Sequence, residues 1–172
     1  KLLDGNKSLW PRYCRTILSS AAFLTQFKNG EDFIHWANHL YRDPRSKPAL
    51  PLLVSQEVFG LGYPLACDFL KELGFIGYGK PDVHIKRILV GLGLAEGGTS
   101  NYGLQKLMAR IAADNGISAY NVDKLFWLIG SGRFHDHRML GKDGRIGQNY
   151  MQFLTETAPR MSWWNGLTER IA

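Results

Sequence analysis

The feature that most limits how this chain can fold is a break in its apolar pattern between Leu52 and Leu73. Leu52, Leu53 and Val54 belong to one helical run, and Leu65, Phe69, Leu70 and Leu73 recur at helical spacing along a second. Between the runs stand Phe59-Gly60-Leu61-Gly62-Tyr63-Pro64. Two glycines one residue apart permit a left-handed backbone and the close approach of another group. Proline suits the first turn of a new helix, where its missing N–H costs nothing. The stretch therefore predicts two helices joined by a tight hairpin. The second helix would begin with backbone N–H groups that no helical carbonyl satisfies, and such a terminus attracts anions.

A glycine-rich segment, Gly74-Phe75-Ile76-Gly77-Tyr78-Gly79, follows the second helix and reads as a loop over a cleft. Lys80-Pro81-Asp82 comes next, then Val83-His84-Ile85-Lys86-Arg87-Ile88-Leu89, which reads as a helix. Asp82 stands where an N-cap is wanted, and helix capping is a sufficient reason for an aspartate there.

Taken together these residues resemble the helix-hairpin-helix DNA glycosylase superfamily. That family carries a Gly-hydrophobic-Gly hairpin, an alanine four residues after the second glycine, and about twenty residues on an Asp-X-His-hydrophobic-X-Arg segment. Here the hairpin is Gly60-Leu61-Gly62, the alanine is Ala66 and the last segment is Asp82-Val83-His84-Ile85-Lys86-Arg87. The resemblance covers residues 50–132. The chain has less helical sequence ahead of the hairpin than the family usually does.

The resemblance implies roles residue by residue. Asp82 would be the catalytic carboxylate, stabilising positive charge on the sugar as an N-glycosidic bond breaks and orienting water. It would cap its helix as well. Gly60, Gly62 and Tyr63 would offer backbone amides to a DNA phosphate, with Lys80, His84 and Arg87 as further DNA contacts. Gln56, Val58 and Leu61 would hold a monovalent cation, potassium or sodium, through their carbonyls; no cofactor is otherwise required. Where lyase members have a lysine this chain has Pro64, so a monofunctional glycosylase is implied. A flipped base needs an aromatic pocket, for which Trp36, Tyr63, Tyr78 and Trp127 are candidates, though each also suits a core.

Composition is that of a globular chain, and its charge suits a polyanion partner without demanding one. Of the 172 residues 45% are hydrophobic and 21% charged, and the formal net charge is +6. No run of about eighteen apolar residues occurs, so no membrane span is expected. Cys14 and Cys67 both fall in apolar helical contexts and read as buried free thiols. Two cysteines cannot supply the four-cysteine iron–sulfur cluster of some superfamily members. An intracellular location, cytoplasmic or nucleoid-associated, is expected, with DNA as the partner and no membrane.

Helical periodicity extends through the rest of the chain. One helix is expected from Ser8, with Pro11 in its first turn and Tyr13, Ile17 and Leu18 on its apolar face, to about Phe27. Others are expected over Asp32 to Tyr41, through Leu104 to Ala112, and from Ser118 to about Gly130. The fold class is all-α, a helical bundle with a helix-hairpin-helix motif, glycosylase-like. Residues 1–132 form the main domain and residues 133–172 a helical extension packed on it. His135-Asp136-His137 is too short of ligands to read as a metal site. Three functions fit this chain: a DNA glycosylase acting on a damaged or modified base, a non-catalytic helix-hairpin-helix nucleic-acid-binding domain, or a helical protein-assembly domain whose hairpin resemblance is accidental.

Overall fold

A computed structural model describes residues 9–131 of the chain. Among them there are seven helices and no strand, as the periodicity requires. They fall into two compact units, one ending at Phe75 and one beginning at Ile76. The expected division at 132/133, and the helices expected beyond it, lie outside the described residues.

The first unit contains α1 (Trp10–Leu24), α2 (Gly30–Tyr41), α3 (Ala49–Glu57) and α4 (Tyr63–Glu72). α1 starts with Pro11 in its first turn and stops at Leu24, short of Phe27. Single turns carry the chain onward, with the Phe27 N–H donating to the Leu24 carbonyl at 3.2 Å. Asn29 must be extended to cap α2, and its side chain accepts from the Asp32 N–H at 2.9 Å. The expected apolar face of α1 is present but uncovered: Phe23 is its one buried residue, while Tyr13, Ile17 and Leu18 are exposed. Cys14 is exposed too, which corrects the expectation of two buried thiols; Cys67 is buried.

Aromatic rings build the core of this unit. Phe27 meets Phe33 at 5.1 Å with the rings perpendicular, and Phe33 meets Phe69 of α4 at 6.1 Å. Edge-to-face pairs of this kind contribute about 0.5–1.5 kcal/mol each beyond burial. α4 turns Ala66, Cys67 and Leu70 inward and leaves Leu65 and Leu73 exposed. Both stripes have helical spacing; the smaller alanine and cysteine let α4 approach α3 closely. Lys71 is buried and paired with Asp68 at 2.8 Å.

The second unit contains α5 (Val83–Gly91), α6 (Asn101–Asp114) and α7 (Ala119–Gly130). Serines begin two of them: Ser100 accepts from the Gly103 N–H and Ser118 from the Asn121 N–H, each at 3.1 Å. Gly116, at φ +64°, turns the chain between α6 and α7. Ile85 and Leu89 of α5, Leu104 and Met108 of α6 and Val122 of α7 form one buried cluster.

Candidate functional site

The hairpin forms as the glycine pattern predicts. Gly60 takes φ +78°, a left-handed conformation that other residues adopt only at a cost. The Leu61 N–H donates to the Val58 carbonyl at 3.1 Å and closes the turn. Gly62 is extended and caps α4, with Pro64 in the first turn. Backbone amides at the start of such a helix, with its partial positive charge, suit a phosphate.

One contact was not legible in the sequence. α1 lies against the hairpin: the Phe59 N–H donates to Ser19 Oγ at 2.8 Å, and the Arg15 guanidinium sits 4.0 Å above the Phe59 ring. A Cβ on Gly60 would stand 2.6 Å from Thr16 Oγ1 and 3.7 Å from Arg12 Nε. The close approach that Gly60 permits is thus made by Thr16. The same packing brings two arginines to the hairpin.

Tyr63 is half-buried, and its hydroxyl donates to the Pro48 carbonyl at 3.0 Å, tying the start of α4 to the start of α3. Of the carbonyls implied as cation holders, Gln56, Val58 and Leu61, that of Val58 accepts the turn hydrogen bond and keeps one lone pair. Neutral backbone oxygens are hard donors and fit a monovalent cation. Trp36 is part of the aromatic core, 5.3 Å from Phe27 and 5.7 Å from Phe33.

Asp82 belongs to the second unit and caps α5 as expected. Its Oδ1 accepts from the His84 N–H at 2.9 Å and the Ile85 N–H at 3.2 Å. Its Oδ2 takes no hydrogen bond among the described residues, and the side chain is half-buried. One oxygen is thus committed to the helix.

The loop before Asp82 is held in place. The Gly79 N–H donates to Gln105 Oε1 at 3.1 Å, and Gln105 Nε2 donates to the Gly77 carbonyl at 3.1 Å. A Cβ on Gly79 would come within 2.9 Å of both the Ala119 carbonyl and Asp123 Cβ. The Ile76 carbonyl accepts from the Tyr120 N–H at 3.1 Å. Tyr78 is fully buried, so its ring belongs to the packing of this loop and is not open to a base. Gln105 was missed in the sequence, because a glutamine inside an amphipathic helix reads as surface.

His84 Nδ1 is buried without a hydrogen-bond partner among the described residues, and the residue packs against Gly130, where a Cβ would stand 2.8 Å from His84 Cβ. Only Nε2 of this ring can reach a phosphate. Arg87 is exposed; Lys80 and Trp127 are half-buried. Of the two neighbouring lysines, Lys71 is buried in its pair with Asp68, and Lys80 lies outside α4.

The first unit also holds a largely apolar groove of about 1220 Å³, lined by Leu24, Phe27, Phe33, Ile34, Phe69 and Leu73 among others. None of the candidate site residues read from the sequence is among those lining residues. No described helix is long and apolar enough to cross a membrane. Comparison of the chain with protein-family models, with curated proteins and with solved structures finds no match.

Proposed function

We propose that this protein is a helix-hairpin-helix DNA glycosylase-like protein that hydrolyses the N-glycosidic bond of a damaged or modified base. The observation that carries the reading is the state of Asp82. A half-buried carboxylate that caps a helix through one oxygen is rigidly placed, and its second oxygen can face a developing oxocarbenium ion. The cap engages the first oxygen, and the second makes no hydrogen bond among the described residues.

The hairpin supports the DNA side of the proposal. Left-handed Gly60, the α4 N-terminus and the adjacent Arg12 and Arg15 make a basic surface rich in backbone donors. A net charge of +6 favours a polyanion. With Pro64 where a lyase has its amine, the reaction is hydrolysis by water and forms no covalent adduct. A monovalent cation on the hairpin carbonyls would add positive potential near a phosphate.

A second reading is a DNA-binding module without catalysis. It is favoured by the burial of Tyr78, which removes one aromatic candidate for a base pocket, and by the occupation of the space over Gly60 by Thr16. Release of free base from duplexes carrying alkylated purines, uracil or thymine mismatches, or oxidised pyrimidines decides between the two. Release by the wild type that Asp82→Asn abolishes supports the enzyme. Tight binding with no release from any of these duplexes supports the module.

A further inference from the structure

α2 carries two histidines one turn apart on an exposed face. The His35 and His39 rings lie 4.7 Å apart, centroid to centroid, and nearly perpendicular. They line a depression of about 300 Å³ together with Asn38 and Arg42. Side chains four residues apart on a helix have Cβ atoms about 5–6 Å apart, a spacing at which two imidazoles can share one metal ion.

The hydrogen bond at this pair defines which nitrogen is offered. His39 Nδ1 lies 2.8 Å from the His35 carbonyl oxygen. A carbonyl only accepts, so Nδ1 is the donor and carries the proton. The lone pair of neutral His39 is then on Nε2, which faces away from the helix backbone. Metal-ligating histidines are commonly oriented this way, with the non-ligating N–H donated to a carbonyl. We infer that His35 and His39 form a two-imidazole chelate for a late divalent transition ion such as nickel, copper or zinc.

No group of three or more histidine, cysteine or acidic side chains able to hold a metal occurs among the described residues. Among the described residues the chelate therefore has two protein ligands, with water in the remaining positions, and resembles an exchangeable site more than a closed structural one. Arg42 shares the depression, and its positive charge opposes a cation. That opposition gives the test a sign. A site for a metal must tighten when Arg42 is removed, whereas a site for an anion must weaken.

The experiment uses the full chain, stripped of metal with a chelator and dialysed, and titrated calorimetrically with nickel chloride near neutral pH. His135 and His137 are replaced by glutamine in the background so that they contribute nothing. Binding of one equivalent of nickel is expected in that background. Losing either ligand is expected to cost at least as much as losing an outer-shell partner, so His35→Gln and His39→Gln should each weaken binding about 10–100-fold. Arg42→Ala should tighten it. All three positions are at the surface, and unchanged helix content by circular dichroism verifies folding. The proposal is overturned if nickel binding survives His35→Gln and His39→Gln. It is also overturned if no nickel binds in that background, or if Arg42→Ala weakens nickel binding or abolishes binding of inorganic phosphate.

Discussion

Thr16 Oγ1 occupies the space in which a side chain on Gly60 would begin, 2.6 Å from the position of a Cβ. The hydroxyl also donates to the Arg12 carbonyl at 3.0 Å, so it cannot swing away without losing that bond. Gly60 is thus constrained twice, by its left-handed backbone and by α1. Gly60→Ala should cost about 1–2 kcal/mol for the conformation and about 1–3 kcal/mol more for the crowding. In a Thr16→Ala background the second part should disappear. A double-mutant cycle by chemical denaturation measures it, and additive single effects would show that the contact carries nothing.

The loop that delivers Asp82 depends on Gln105. Gln105→Leu would leave the buried Gly79 N–H without an acceptor, at a cost of about 1–3 kcal/mol. The same change should lower base release by disturbing the position of Asp82, which lies three residues beyond Gly79. Gln105→Glu retains the acceptor and loses the donor to Gly77. With two acceptors then facing each other in a buried site, the loop should loosen, as judged by faster hydrogen exchange of the Gly79 amide.

Gly130 offers a prediction against the usual trend. Replacing a helical glycine by alanine ordinarily stabilises by up to about 1 kcal/mol. Here the added Cβ would meet His84 Cβ at 2.8 Å, and neither atom can rotate away because both are fixed to backbone. α5 and α7 would have to part. Gly130→Ala should lower the melting temperature, and a rise would show that the two helices adjust freely.

Much of the helical layout was legible because caps and periodicity are local. Asp82 and Ser118 cap where the pattern placed them, and the Gly60 turn follows from glycine's backbone freedom. Periodicity identifies an apolar stripe but not what covers it. Tyr13, Ile17 and Leu18 have the spacing of a buried face and are exposed, while α4 buries the stripe of Ala66 and Cys67 in place of Leu65 and Leu73. The packing of Thr16 on Gly60, and of Gln105 on a loop 26 residues away, depends on distant segments meeting. Local pattern does not encode such meetings. Tyr78 was expected beside a cleft and is fully buried for the same reason: a loop's surface is set by what packs under it.

Removing the carboxylate separates the cap from the chemistry. Asp82→Asn preserves a side-chain oxygen for the His84 and Ile85 amides and should leave stability nearly unchanged. Asp82→Ala loses the cap and should cost about 0.5–2 kcal/mol. Both should lack base release. Equal destabilisation by the two variants would show that the charge itself holds the helix.

The most direct measurement of the central claim compares two DNA duplexes that differ at one sugar position. One carries a neutral tetrahydrofuran in place of the target nucleoside and the other a cationic pyrrolidine that mimics the developing oxocarbenium ion. A carboxylate placed to stabilise that charge predicts that the wild type binds the cationic duplex at least about 10²-fold more tightly, and that Asp82→Asn loses the preference. Equal affinity of the wild type for the two duplexes would contradict it.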